Sequence, residues 1–332
     1  MIVNNFSKKF SDYSLKRKIN AGSVTYLFKL KDGRLCVCTH EKKLKIYKFE
    51  DNNFIEQIVI NNYTHSISKI IQLKNGLIVY PSEEDNIIII ELSENSYKIK
   101  QKIELNKQIF KNIQSINKII ELKDERIVAL INDFSRDKIC FLKFNGKSYE
   151  FNTYIQINSN HILSLEIEEI PKLNQISFFS NQSLSFYDLT TYELRKKMNN
   201  VEGFEWTNSL ILFNDDYLIL GSIYASCNEG SKNIYLVKCS TYELIDSFQS
   251  DECDFMFCTS IKILNNKSIL FGFHMYDGFT SYIQIKVENE KINLICIKRL
   301  SDKEFDGEIC GIEEFENIIV TGDRGGFLYV YQ

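Results

Sequence analysis

Apolar and polar positions alternate along this chain in short runs, and the runs recur in a fixed order. Val24 to Leu30 is followed by a turn at Lys31-Asp32-Gly33, then Leu35 to His40, a charged turn at Glu41-Lys42-Lys43, Leu44 to Phe49, a polar stretch at Glu50 to Asn53 and Phe54 to Ile60. Runs of strand length bounded by Gly, Asn and Asp, with no 3.6-residue period sustained over a dozen residues, predict antiparallel strands joined as a meander. The phrase that ends the first strand, an apolar residue and then polar turn-formers, is Leu30-Lys31-Asp32-Gly33. It returns as Leu73-Lys74-Asn75-Gly76, Leu122-Lys123-Asp124-Glu125, Phe213-Asn214-Asp215-Asp216 and Leu264-Asn265-Asn266-Lys267, with looser copies at Ile170 and Phe315. Successive copies lie 43, 49, 48, 43, 51 and 51 residues apart, a period that belongs to circular or stacked repeats.

Four strands per unit at this spacing predict the blades of a propeller. The expectation is an all-β, seven-bladed β-propeller of four-stranded antiparallel blades, filling residues 1–332 as one domain. After the last copy the chain has room for only three strands, so the seventh blade needs an outer strand from elsewhere. Tyr13-Ser14-Leu15-Lys16-Arg17-Lys18-Ile19 echoes Tyr192-Glu193-Leu194-Arg195-Lys196-Lys197-Met198, the expected outer strand of blade four, and is assigned that role. Joining the two ends in this way removes an open strand edge, and loss of residues 1–20 is expected to leave the protein insoluble or much destabilised.

The closing stretch Thr321-Gly322-Asp323-Arg324-Gly325-Gly326-Phe327-Leu328-Tyr329-Val330-Tyr331 resembles the end of a WD-repeat blade, where a small-Gly pair, a tight turn and an alternating strand lead to Trp-Asp. Tyr331, Tyr47 and Tyr187 stand where that family places Trp, and Tyr187-Asp188 comes nearest to the signature pair. Gly-His pairs before the blades are missing. The resemblance implies a divergent WD-like propeller and transfers no active site, because function belongs to sites rather than folds.

Hydrophobic residues make up 44% and charged residues 25% of the 332, the composition of an ordinary globular protein. The N-terminus has no apolar block after its basic residues, and no run approaches a membrane span, so no membrane association is expected. Nine cysteines without paired spacing read as buried packing residues of a reducing compartment, and the expected location is cytoplasmic. The net charge of −4 conceals an asymmetry: residues 1–150 carry 26 Lys and Arg against 18 Asp and Glu, a net +8, and residues 151–332 carry 14 against 26, a net −12. A ring built from this chain has a basic side and an acidic one. With a pI near 5.8 and basic residues interleaved with strand positions, nucleic acid is not an expected partner.

Motifs of catalysis are missing. His40-Glu41 begins like the zinc-protease helix motif, but position 44 is Leu and the segment reads as strand and turn. There is no phosphate loop, nucleophile elbow or calcium loop. Cys36, Cys38 and His40 alternate along one strand and so share a face, yet three ligands on one strand cannot wrap a tetrahedron, and no metal or cofactor is expected. His65, His161 and His274 fall in separate blades.

The chemistry that stands out lies in three linkers between the later blades, Glu202-Gly203-Phe204-Glu205-Trp206, Asp251-Glu252-Cys253-Asp254-Phe255-Met256-Phe257 and Asp302-Lys303-Glu304-Phe305-Asp306-Gly307-Glu308. Connections from the outer strand of one blade to the inner strand of the next emerge on one face of a propeller. Carboxylates beside exposed rings suit a Lys- or Arg-bearing peptide, through charge pairing and cation–π contact. The expected partner-binding residues are Glu202, Phe204, Glu205, Trp206, Asp251, Asp254, Phe255, Glu304, Phe305 and Asp306. Longer loops at Asn132 to Asp137, Ser222 to Asn233 and His274 to Ser281 are expected to open on the same face. The function read from these features is a non-enzymatic platform for a protein with a basic segment. The competing reading is an enzyme whose active site is assembled at the channel mouth from several blades.

Overall fold

The recurring phrase closes the first hairpin of its blade. In the first copy Gly33 N–H donates to the Leu30 carbonyl at 2.9 Å and Leu30 N–H to the Arg34 carbonyl at 2.8 Å, while the Asp32 carboxylate accepts Arg34 N–H at 3.0 Å. Asn75, Asp124 and Asn266 accept the N–H two residues ahead in the same way. In these four copies the fourth position is left-handed, with φ of 87° at Gly33 and 91° at Gly76, but also 68° at Glu125 and 62° at Lys267; in the blade 5 copy Asn214 and Asp215 take that conformation instead, at 49° and 59°. The Asx residue thus does what its short polar side chain predicts.

A computed structural model of the protein describes residues 9–50, 53–61, 70–82, 86–105, 109–110, 113–133, 137–157, 166–180, 183–199, 207–222, 232–249, 256–275, 280–300 and 307–332. A 3-10 turn, Phe10–Asp12, precedes β1 (Leu15–Asn20). Blade 1 is β2 (Val24–Lys29), β3 (Leu35–Thr39), β4 (Lys43–Glu50) and β5 (Asn53–Asn61); blade 2 is β6 (Ile71–Gln72), β7 (Ile78–Pro81), β8 (Asn86–Leu92) and β9 (Tyr97–Glu104). Blade 3 comprises β10 (Ile113–Glu121), β11 (Ile127–Asp133), β12 (Lys138–Phe144) and β13 (Tyr149–Gln156), and blade 4 β14 (Glu166–Ile170), β15 (Gln175–Ser180), β16 (Ser183–Asp188) and β17 (Leu194–Asn199). Blade 5 follows with β18 (Thr207–Phe213), β19 (Tyr217–Ser222), β20 (Ile234–Lys238) and β21 (Glu243–Phe248), then blade 6 with β22 (Met256–Ile263), β23 (Ile269–Met275), β24 (Thr280–Glu288) and β25 (Lys291–Leu300). Blade 7 has β26 (Ile309–Phe315), β27 (Ile318–Asp323) and β28 (Phe327–Tyr331), and its outer strand is β1, giving the order β1-β28-β27-β26.

The seven-bladed propeller and its closure are therefore as the pattern predicted, with the closing strand at Leu15–Asn20 rather than Tyr13 to Ile19. Its echo in blade 4 begins at the matching residue, Leu194. Ile19 pairs with Leu328, and Ser14 and Gln332 exchange backbone hydrogen bonds at 3.1 and 3.0 Å. Phe10 is buried against Tyr282 and Tyr331, ring centroids 4.6 and 5.3 Å away, and its N–H donates to the Gln284 side chain at 2.7 Å. The Lys298 ammonium caps the Tyr13 carbonyl. The N-terminal segment is thus held by blade 6 as well as by blade 7.

The hydrophobic core is distributed between blades rather than within one centre. One cluster of buried residues joins blades 1 and 2 through Cys36, Ile46, Ile78 and Ile90, another joins blades 3 and 4 through Phe141 and Phe178, and the last joins blades 7 and 1 through Leu328 and Leu27. Blades 5, 6 and 7 approach their successors through glycines at equivalent points of their second strands. A Cβ on Gly221 would lie 2.2 Å from Cys258 Sγ, one on Gly272 2.9 Å from Ile309, and one on Gly322 2.7 Å from Leu27. Each glycine admits a side chain of the next inner strand. Blade 2 has Pro81 at that point of its second strand.

Candidate functional site

All ten residues predicted to bind a partner, Glu202, Phe204, Glu205, Trp206, Asp251, Asp254, Phe255, Glu304, Phe305 and Asp306, lie outside the described residues. Their flanks are described: the outer strands end at Asn199, Phe248 and Leu300, and the next inner strands begin at Thr207, Met256 and Ile309. Met256 and Phe257, read as linker in the sequence, belong to β22, where Phe257 pairs with His274. The apolar run continues into the inner strand without a turn-former to mark the boundary.

The loops between second and third strands emerge, by the same topology, on the face of those linkers. Beneath the blade 3 loop, Lys138 and Asp133 form a buried pair at 2.8 Å, their side chains 6% and 0% exposed. In blade 5, Asn233 is fully buried and its side-chain amide has no hydrogen-bond partner among the described residues. Thr280 and Ser281, assigned to the blade 6 loop by the sequence reading, are the first residues of β24. Residues 134–136, 223–231 and 276–279 lie outside the described set.

All seven inner strands contribute to one axial cavity of about 290 Å³, whose lining includes Tyr26, Ile71, Lys118, Glu168, Ile211, Lys262 and Glu313. Two ion pairs sit on different arcs of this channel. Lys118 donates to Glu166 and lies 3.7 Å from Glu168, bridging blades 3 and 4. Lys262 donates to Glu313 at 2.6 Å, bridging blades 6 and 7.

The electrostatics follow from burial and pairing. Burial works against the Lys118 charge, but Glu166 and Glu168 overcome it and hold the ammonium above its usual range. At Glu313 burial wins, pushing the carboxyl up despite the pull of Lys262. Burial and then the Glu313 charge raise the Tyr26 phenol well above its ordinary value. The channel therefore holds cations already matched to acids and a phenol that stays protonated.

Four of the described thiols fare no better as nucleophiles, since a thiolate is the reactive form. Burial raises Cys36 and Cys140, and it pushes Cys239 and Cys310 up to about 12. Cys36 and Cys38 are buried in the core between blades 1 and 2, while His40 lies beyond the end of β3 and is exposed. Among the described residues no three His, Cys, Asp or Glu side chains gather as a metal site. His65 and His161 are outside the described residues.

Two features of the WD-like signature have visible structural work. Tyr331 packs at the closure, and Asp188 of the Tyr187-Asp188 pair caps the last hairpin of blade 4, accepting the N–H groups of Thr190 and Thr191 at 2.7 and 2.9 Å and the Arg195 guanidinium at 2.8 Å. The Thr191 N–H, the Arg195 hydrogen bond and the Thr190 N–H hold its carboxyl low, at about 2.

No protein-family model matches the chain, and no curated protein matches its sequence. Solved structures do resemble it. A chain of a crystal structure of the Mitotic Checkpoint Complex superposes with a TM-score of 0.72 at 10% identity, over 99% of this chain and 98% of that one. A virginiamycin B lyase from Staphylococcus aureus, in selenomethionine-substituted form, gives a TM-score of 0.66 at 12% identity, over 96% and 99%. At these identities the likeness establishes the propeller fold alone, and the two neighbours have different callings: one belongs to a protein assembly, the other is named as an enzyme.

Proposed function

We propose that the protein is a non-enzymatic, cytoplasmic interaction platform of the divergent WD-repeat type, presenting the acidic-aromatic linkers of blades 5 to 7 to a basic segment of a protein partner. Glu202, Glu205, Asp251, Asp254, Glu304 and Asp306 supply charge, and Phe204, Trp206, Phe255 and Phe305 supply rings for cation–π and apolar contact. The observation that carries the non-enzymatic reading is the pairing of the channel charges with one another: Lys118 with Glu166 and Glu168, Lys262 with Glu313. An active site assembled at the channel needs a group with an unfilled task, and the described lining offers pairs instead. The likeness to a chain of a checkpoint assembly agrees with a protein partner.

The lyase neighbour favours a second reading, an enzyme working at the channel mouth. Affinity purification of the full chain from its native cells, wild type against a Glu205→Lys and Asp254→Lys double variant, separates the two. The platform reading expects the main partner to be lost from the variant; a partner kept with undiminished yield rejects the rim.

A further inference from the structure

On the face opposite those linkers, where the recurring hairpin turns lie, blades 7, 1 and 2 leave a groove of about 730 Å³. Its apolar floor is made by Phe49, Phe315, Leu92 and Ile318. The floor is rigid: Phe54 stands behind Phe49 and Phe315 with ring centroids 4.9 and 5.5 Å away, and Phe315 is 6% exposed.

The cations in the wall are already committed. Arg34 pairs with Asp32 at 2.7 Å and donates to the Ser93 and Glu94 carbonyls at 2.9 and 3.3 Å. Lys29 lies over the Phe315 ring, 4.6 Å from its centroid, and donates to the Glu314 carbonyl at 3.3 Å. Lys48 pairs with Glu50. By contrast, the carboxylates of Glu94 and Glu316, both exposed on the rim of the groove, make no hydrogen bond and no ion pair within 4 Å among the described residues, although Glu94 stands near enough to Lys48 for their charges to interact. One more group is unmatched. Gln57, a bulge residue of β5, lines the groove with a buried side-chain oxygen Oε1 that accepts no hydrogen bond among the described residues.

From this combination we infer that the groove is a second docking site, for an extended peptide segment in which a large apolar side chain is flanked by Lys or Arg. The apolar side chain lies on the Phe49 and Phe315 rings, a basic side chain meets Glu94 and Glu316, and the Gln57 side chain turns outward so that Oε1, buried in the free protein, accepts an N–H of the peptide. The complementarity is directional: after its internal pairs are formed, the groove keeps two carboxylates, Glu94 and Glu316, against one cation with no salt bridge among the described residues, Lys29, whose ammonium is turned to the Phe315 ring and the Glu314 carbonyl. Burying a donor against Oε1 also converts an unsatisfied acceptor into a hydrogen bond, which discriminates more strongly than adding a new exposed pair.

The test uses the full chain and a phage-displayed library of random peptides about a dozen residues long, followed by fluorescence anisotropy of the synthesised winners. Expected are peptides with a large apolar residue beside Lys or Arg. Their binding should weaken at least tenfold in Glu94→Lys combined with Glu316→Lys, and stay unchanged in Glu205→Lys combined with Asp254→Lys. Gln57→Leu supplies a second arm whose two readouts move in opposite directions. Removing the unmatched oxygen should raise the melting temperature of the free protein while weakening the peptide several-fold. Winners that are acidic, or a set of winners none of which is weakened by the groove variants, overturn the groove proposal, as does a library that enriches nothing. If every winner depends on Glu205 and Asp254 and none on the groove, the rim is supported and the groove rejected, so the two sites fail separately.

Discussion

The backbone N–H of Lys74 in blade 2 donates to the carboxylate of Glu121 in blade 3 at 2.7 Å. The same relation joins Lys31 to Gln72, Lys123 to Glu169 and Asn265 to Glu314, at 2.7, 2.7 and 2.6 Å. In each case the donor follows the apolar residue of the recurring phrase, and the acceptor precedes that residue in the next copy. Lys31 and Lys74 add their ammonium groups to the turn carbonyls of the following blade. The series stops where its chemistry runs out: Pro171 has no N–H to give, and Leu212 and Ile263 occupy the acceptor position in blades 5 and 6. There other contacts serve, such as Gln175 to the Tyr242 hydroxyl at 2.6 Å and Tyr217 to Glu290 at 2.7 Å.

Removing one such link should therefore be felt. Glu121→Ala is expected to cost about 1.5 kcal/mol, the lower range for a hydrogen bond to a charged group, measured by urea unfolding. Leu212→Glu should bring no gain, because its donor would have to be Pro171. A gain comparable to the Glu121 loss would contradict this account of the series.

These links also mark what a single sequence yields and what it withholds. The turns were legible because Asp32, Asn75, Asp124 and Asn266 act within their own hairpins, and the closing strand because its echo in blade 4 keeps the same residue types. The links between blades were not, since Glu121 means nothing until its copy is laid beside that of Lys74. The channel pairs were hidden for the same reason: Lys118 and Glu166 are 48 residues apart and meet only when two strands point at one axis. The rim residues were chosen by composition alone, and composition carries no register. Gly221, Gly272 and Gly322 did leave a signal, a glycine at one point of the second strand in three successive blades.

Lys118 should behave as a buried charge with two acids. Lys118→Met removes the ammonium that Glu166 and Glu168 share in a low-dielectric site, at a cost of about 3–5 kcal/mol; adding Glu166→Gln to that variant should restore most of the loss. Because the Lys118 pKa is raised in the folded protein, its stabilisation is full below the unfolded lysine value and fades only as pH rises through the folded value. Thermal unfolding of wild type against the double variant should accordingly diverge on the alkaline side.

Gly322 tests the close approach of blades 7 and 1. Gly322→Val forces new atoms against Leu27 and Val24, and overpacking of this kind costs about 1–3 kcal/mol. Trimming the wedge in the same protein, with Leu27→Ala, should cost less than Leu27→Ala costs in wild type. Additive losses in a double-mutant cycle would mean that the two sites do not press on each other.

At the closure, Phe10→Ala should destabilise by about 3–5 kcal/mol, the range for deleting a fully buried ring. The opening is local to blades 6 and 7, so hydrogen exchange should quicken first in β1 and β28 and leave blades 2 to 4 protected. Uniform loss of protection would place the closing strand elsewhere.

The claim on which the functional account rests is the position of the partner. Hydrogen exchange read by mass spectrometry, on the full chain with and without the main partner recovered by affinity purification, addresses it directly. Slowed exchange concentrated in 202–206, 251–255 and 302–306 is the predicted result. Slowing confined to other blades, or to the channel-lining strands alone, would contradict it.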